Sequence, residues 1–312
     1  MKKRDYLDGT ELTAEETLSL VEEAFAQKRE ARAGKVRPLL AGKTIALLFE
    51  KHSTRTRVSF EAGIAQLGGR AIFLSPQDTH LARGETLADS AKVLSEYVDG
   101  IVMRTFGHER VVEVAKNATV PAINGLTDLH HPCQALADFL TLREQFGALR
   151  GLKLAYLGDG NNVLNSLLLI GALIGVSVSA ACPPEFHPDP GALFRALGLA
   201  PASGAEISVT EDVQTACKGA HAIYTDVWTS MGQEAEEEQR QEALAPYRVH
   251  GELFHWAEKN AIFMHCLPAH RGEEVTAEVI DGPRSVVFEQ AGNRLHAQKV
   301  LLEILVGGKN GP

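Results

Sequence analysis

"KTIALLFEKHSTRTRVSFEAGIAQLGGRAIFL", residues 43–74, joins an apolar run, a knot of basic and hydroxyl side chains, a helical pattern and a second apolar run. The first run, "KTIALLFE" (43–50), has the length and near-continuous hydrophobicity of a strand buried on both faces. Ser53 then stands at an N-cap position, and Phe60, Ile64 and Leu67 recur at helical spacing, so the pattern predicts a helix over 54–67. "AIFL" (71–74) follows as the next strand. Strand, helix and strand in succession make a parallel βαβ unit.

The rest of the chain repeats that rhythm. Helix 86–98, strand 100–105, helix 108–118, strand 120–124 and a long helix over 131–146 follow, and "LRGLKLAYLGDG" (149–160) starts the pattern again. Strands are predicted near 152–157, 176–181, 205–209, 222–227, 261–266 and 285–289, with a final amphipathic helix over 292–306. The expected fold class is α/β: two doubly wound parallel-sheet domains with the active site in the cleft between them. A length of 312 residues fits two domains. The division predicted is 1–130, with the C-terminal helix 291–312 packing back on it, and 131–290.

Composition narrows the class of partner. Lys and Arg number 31 against 40 Asp and Glu, an acidic balance that repels nucleic acid and anionic membrane. Any basic cluster is therefore a local device. Four cysteines without paired spacing, and an N-terminus without an apolar signal region, predict a reducing, cytoplasmic compartment. The charge-free run "VLNSLLLIGALIGVSVSAAC" (163–182) reads as a buried helix ending near Gly175 and then a buried strand. "QEAEEEQRQEALAPY" (233–247) reads as a solvated helix face.

The basic knot now has a physical meaning. A helix N-terminus carries free N–H groups and the positive end of the helix dipole, and here Ser53, Thr54, Arg55 and Thr56 add hydroxyls and a guanidinium. Phosphate is the expected ligand, since arginine suits bidentate contact with its oxygens. A capped helix with surface arginines would carry the same residues. What separates the two readings is where the remaining polar clusters fall. Arg104 ends strand 100–105, and "DLHHPCQ" (128–134), with His131 and Gln134, follows strand 120–124. "GDGNN" (158–162), "DVWTSMGQ" (226–233) and "HCLP" (265–268) fall at strand ends in the second half. Ligands of open parallel sheets bind beyond the carboxyl ends of strands, and every one of these clusters lies there.

"STRTR" (53–57), "HPCQ" (131–134), "GDGNN", "DVWTSMG" and "HCLP", in this order and spacing, resemble the carbamoyltransferase family along nearly the whole chain. The "SMG" after Asp226 resembles its ornithine-using branch. The resemblance implies transfer of a carbamoyl group from carbamoyl phosphate to the side-chain amine of L-ornithine, giving L-citrulline and phosphate, with no metal or organic cofactor. It makes 1–130 with 291–312 the carbamoyl phosphate-binding domain and 131–290 the ornithine-binding domain. Ser53, Thr54, Arg55 and Thr56 would bind the phosphate, while Arg104, His131, Gln134 and Arg294 would hold the carbamoyl group. Asn162 would bind the ornithine carboxylate, and Asp226, Ser230 and Met231 its α-amino group. Cys266 and Leu267 would also belong to the carbamoyl phosphate site and face the reacting atoms. His80, in "SPQDTHLARGET" (75–86), would reach carbamoyl phosphate in a neighbouring subunit, so a homo-oligomer built on a trimer is implied.

The reaction asks for the same residue types. Arg104 and His131 suit a developing oxyanion and Arg55 suits the departing phosphate, so these three and Cys266 are the catalytic candidates. The spacings of His130, His131 and Cys133, and of His265, Cys266 and His270, match no standard zinc site, so no metal is expected. A related amine acceptor is the alternative substrate. A dinucleotide-dependent dehydrogenase is the rival class, suggested by "KLAYLGDGNNV" (153–163); it lacks a third glycine, where Val163 stands, and an acidic residue after "VSVSAAC".

Overall fold

The structure, a computed structural model, describes residues 3–35, 37–77, 84–229 and 237–307. It divides into two compact units, Met1–Leu140 with Asn293–Pro312 and Thr141–Gly292, so along the chain the second is inserted into the first.

The first unit contains α1 (Ala14–Arg32), β1 (Thr44–Phe49), α2 (Thr54–Gln66), β2 (Arg70–Leu74), α3 (Leu87–Ser95), β3 (Gly100–Arg104), α4 (His108–Asn117) and β4 (Ala122–Leu126). Its strands pair in parallel in the order β2-β1-β3-β4. Ile45 to Phe49 are at most 2% exposed, as a strand covered on both faces requires. After α5 (Pro132–Phe146), the second unit contains β5 (Lys153–Leu157), α6 (Asn162–Ile174), β6 (Ser177–Ala181), α7 (Pro190–Ser203), β7 (Ile207–Thr210), α8 (Val213–Cys217), β8 (Ala222–Thr225), α9 (Glu237–Leu244), β9 (Ile262–His265) and α10 (Ala277–Ile280). These five strands are also parallel, in the order β7-β6-β5-β8-β9.

Both sheets reverse their strand order once, between β1 and β3 in the first and between β5 and β8 in the second. The two-sheet expectation is met. The expected strand over 285–289 is not: Ser285 makes a single parallel bridge to Phe263, and α11 (Val287–Leu305) starts at Val287. The β-branched pair Val286 and Val287 is buried at the entrance of this helix, while Phe288 is 70% exposed, so the apolar run serves a helix start and not an alternating strand.

The last helix returns to the first unit, where Lys28 Nζ bonds Asn293 Oδ1 at 2.6 Å and Gln27 Nε2 bonds Glu303 Oε2 at 2.6 Å. Gly63 makes room for it, because a Cβ there would lie 3.2 Å from Lys299 Cγ. In the second unit the charge-free run is a core helix followed by β6, and of the residues from Val163 to Ile174 all but Leu173 are buried. Among the described residues no helix is long and apolar enough to cross a membrane. The described part of the acidic stretch, α9, is not purely solvated. Arg240 in α9 is 4% exposed and pairs with Asp159 at 2.5 Å, so one face of that helix is a packed, ion-paired surface.

Gly175 caps α6 with φ 86°, its N–H bonded to Gly171 O at 3.1 Å, and a Cβ there would lie 3.2 Å from Ser203 O. Gly198 lies inside α7 with nothing within 4 Å of the position of a Cβ. Opposite outcomes are expected for one substitution. Gly175→Ala destabilises by about 1–2 kcal/mol through the left-handed backbone, whereas Gly198→Ala stabilises by about 0.5–1 kcal/mol. Urea unfolding midpoints of the two variants check this.

Candidate active site

In the first unit the basic and hydroxyl side chains gather at the reversal of the sheet. Ser53 caps α2, its Oγ accepting the Thr56 N–H at 3.2 Å, so the first turn is held with its other N–H groups pointing out of the helix end. Thr54 and Arg55 occupy that turn on its exposed side. Thr56 is fully buried, and its hydroxyl joins two guanidinia: Arg294 Nη2 donates at 2.7 Å, and Arg104 Nη1 lies at 3.4 Å. Arg104 ends β3 and Arg294 comes from α11. Three elements thus deliver positive charge to one place.

His131 and Gln134 lie at the start of α5, both buried. Burial first, then the positive charges of Arg294, Arg104 and Arg55, push the His131 imidazole well below the ordinary histidine range. It is therefore neutral at pH 7. Such a ring can donate a hydrogen bond to a carbonyl oxygen without adding to the crowd of cations. Gln134 Nε2 donates to Asp138 Oδ1 at 2.8 Å, which orients the amide and leaves Oε1 buried without a partner among the described residues. The remaining acceptor matches an amide N–H of a ligand.

In the second unit the corresponding place is the reversal between β5 and β8. Asp226, just after β8, is 6% exposed; its Oδ1 accepts from Val227 N–H at 2.8 Å and from the Cys266 thiol at 2.8 Å. Its Oδ2 accepts from Asn161 Nδ2 at 2.7 Å. Asn162 is the first residue of α6, where the helix N-terminus suits a carboxylate. Cys266 follows β9, and Leu267 after it has φ 59°. The structure brings Asn162, Asp226, Cys266 and Leu267 to one edge of this sheet, as the sequence predicted. His80, Ser230 and Met231 lie outside the described residues.

Sequence reasoning passed over Asn161, the residue that holds Asp226. Its signal was its position: Asn161 caps α6 by accepting from Val163 N–H at 2.9 Å, so its amide is turned back toward the strand ends. His265 enters the sequence reading only as a metal ligand. Asp226, His265 and Cys266 do gather ligand atoms within 4.8 Å of one another, yet both His265 ring nitrogens are engaged, by Leu267 N–H at 2.9 Å and by Glu274 Oε1 at 3.2 Å.

The glycine turn after β5 also answers the dehydrogenase reading. A Cβ on Gly160 would lie 2.4 Å from His187 C, and Gly160 N–H bonds Phe186 O at 2.8 Å. The close approach that this glycine permits is filled by the chain itself. A dinucleotide fold uses its glycines for a pyrophosphate.

Comparison with known proteins agrees with this geometry. Residues 4–144 match the family model of the aspartate/ornithine carbamoyltransferase carbamoyl-P binding domain, and residues 150–305 match that of its Asp/Orn binding domain. An ornithine carbamoyltransferase of Bacillus thuringiensis is 54% identical over 97% of this chain and 94% of its own length. Among solved structures, ornithine carbamoyltransferase from Pyrococcus furiosus superposes with a TM-score of 0.95 at 50% identity, covering 99% of this chain and 98% of that one. The enzyme of that name from Gloeobacter violaceus gives 0.87 at 45% identity, covering 97% and 99%.

The buried neutral histidine has a thermodynamic signature. Unfolded, His131 takes up a proton near pH 6.5; folded, it does so only at lower pH. Its contribution is therefore intact above about pH 6.5 and is lost as the pH falls, by about 1.4 kcal/mol per unit, until the folded pKa is passed. His131→Asn is expected to flatten the decline of stability between about pH 6.5 and 5 by up to that slope. Urea titrations of both proteins across this range measure it, and an unchanged slope counts against a neutral His131.

Proposed function

The chain belongs to the aspartate/ornithine carbamoyltransferase family, and we propose how its residues divide the work of carbamoyl transfer to ornithine. The chain is a transferase that moves the carbamoyl group from carbamoyl phosphate to the side-chain amine of L-ornithine, releasing L-citrulline and phosphate. The observation that carries the assignment of the phosphate end is the Thr56 hydroxyl joined to Arg104 and Arg294 beside a capped helix N-terminus.

In this reading Ser53, Thr54, Arg55 and Thr56 hold the phosphate with backbone N–H groups, hydroxyls and one guanidinium. Arg104 and neutral His131 donate to the carbamoyl oxygen, and Gln134 Oε1 accepts from the carbamoyl amide. When the neutral amine attacks the carbonyl carbon, negative charge grows on that oxygen, and donors already in place stabilise it by several kcal/mol. The C–O bond to phosphate then breaks, the proton released by the attacking amine passes to the departing phosphate oxygen, and Arg55 receives the resulting hydrogenphosphate dianion. On the ornithine side, Asn162 at the start of α6 takes the carboxylate and Asp226 takes the α-ammonium. Ser230 and Met231 belong to the same proposal, and Cys266 and Leu267 approach the reacting atoms.

A homo-oligomer, a trimer or a multiple of one, with His80 reaching a neighbouring subunit, is also proposed, as the resemblance implies. So is a cytoplasmic location, supported by four cysteines none of which is joined in a disulfide.

The primary test is colorimetric citrulline formation from carbamoyl phosphate, with ornithine, aspartate, putrescine and N-acetylornithine offered as acceptors. Ornithine is expected to be best by orders of magnitude; a better acceptor among the other three would overturn the reading. Two variants separate the ends of the site. Arg55→Ala weakens carbamoyl phosphate binding about tenfold or more by removing a charge-assisted contact. Asp226→Asn raises the ornithine KM by about two orders of magnitude and leaves carbamoyl phosphate affinity, measured calorimetrically without ornithine, unchanged. Loss of that affinity in a normally folded Asp226→Asn protein contradicts the division.

A further inference from the structure

One buried carboxylate has no place in the scheme above. Glu274 lies in "RGEEV" (271–275), eight positions from Cys266 in a run of charges that looks solvated, yet it is 0% exposed. Its Oε1 receives two hydrogen bonds, one from the backbone N–H of His270 at 2.5 Å and one involving His265 Nε2 at 3.2 Å. His265 ends β9 and is also fully buried. Its other ring nitrogen, Nδ1, accepts the backbone N–H of Leu267 at 2.9 Å. A nitrogen that accepts from a backbone N–H carries no proton of its own, so the proton of the neutral ring sits on Nε2 and points at Glu274.

The far end of this chain is the ornithine half-site. Leu267 has φ 59°, a left-handed conformation that a leucine rarely adopts without an external hold. The residue before it, Cys266, places its Sγ 2.8 Å from Asp226 Oδ1. The backbone N–H of His265 is also fixed, donating to Gln290 Oε1 at 2.9 Å, so the ring pivots on a set main chain and only its tautomer is left to choose.

We propose that Glu274 is a positioning residue for the ornithine half-site: it locks the Nε2–H tautomer of His265, so that Nδ1 holds Leu267 in its left-handed turn and thereby aims the Cys266 thiol at Asp226. A carboxylate that orients a histidine by accepting its second N–H plays the same part beside metal ions and in catalytic triads. Here the oriented group is a strand-end loop. Without an acceptor at Nε2, the proton can move to Nδ1, where it meets the Leu267 N–H, donor against donor, and the loop loses its tie. The role rests on the assignment of Asp226 to ornithine.

The test compares Glu274→Met, similar in volume but without an acceptor, with Glu274→Gln, which keeps a carbonyl oxygen at the same place. NMR of the imidazole nitrogens is expected to show the Nε2–H tautomer of His265 in the parent and the Gln variant, and a shift toward Nδ1–H in the Met variant. The ornithine KM is expected to rise about tenfold in the Met variant and less than about threefold in the Gln variant, the loss or retention of one buried hydrogen bond. An unchanged tautomer in Glu274→Met, a changed tautomer with a parental ornithine KM, or an equal loss in both variants overturns the proposal. Should the Met variant fail to fold, an Nδ1–H tautomer in the parent overturns it, and an Nε2–H tautomer with near-parental kinetics in the Gln variant upholds it. If the parent forms no citrulline while Glu274→Met still shifts the tautomer, the functional reading has failed: the relay stands, and its assignment to ornithine falls.

Discussion

A parallel sheet that reverses its strand order sends successive crossover helices to opposite faces, and between the two strands at the reversal the carboxyl edge stays uncovered. That constraint places everything else. In the first unit the edge lies between β1 and β3, and the chain put there is the start of α2 and the end of β3. In the second it lies between β5 and β8, where the turn into α6 meets Asp226. Helix N-termini, strand-end side chains and left-handed turns collect at these edges because there the backbone leaves regular structure with its hydrogen-bonding groups still unspent.

The pocket of the first unit is a store of positive charge. Burial first, and then the charges of Arg294, Arg104 and Arg55, keep the His131 ring neutral. Guanidinia brought this close repel one another, and a dianion relieves that repulsion where a neutral ligand does not. The Thr56 hydroxyl fixes two of them at distances of 2.7 and 3.4 Å, so the field is set before any ligand arrives. Preorganised charge of this kind stabilises a departing phosphate without reorganisation during the reaction. The acidic surface around it, with net charge −9, leaves this pocket as a local exception and not part of a general affinity for polyanions.

What was legible in the sequence is what is decided locally. Ser53 and the helix it caps, the core face of Phe60, Ile64 and Leu67, the end of α6 at Gly175 and the alternation into two parallel sheets depend on neighbours a few residues away. Arg294 on Thr56 depends on a partner 238 positions distant, and no spacing rule reaches that far; only the resemblance pointed to it. Charged residues misled for a related reason. Arg240 stands in a run that reads as solvated, because a sequence shows the charge and hides the partner, here Asp159. Residues 285–289 misled through propensity, since Val286 and Val287 suit a strand but are buried at a helix entrance, where packing outweighs a weak local preference.

The return of α11 to the first unit bears on how the protein is made. A ribosome delivers α2 and β3 early and Arg294 almost last, so a nascent chain holds only part of the cluster around Thr56 throughout the synthesis of the whole inserted unit. Until the final helix emerges, Thr56 lacks its closest guanidinium and the face around Gly63 has nothing packed on it. Residues 141–292 close on themselves and can fold as they appear, whereas the outer unit must join the two ends of the chain, a long loop closure that makes its folding the slower event. A chain cut short before α11 therefore lacks Arg294 and, with it, the shortest contact of the Thr56 hydroxyl, so that corner of the outer unit is finished only by the last residues made.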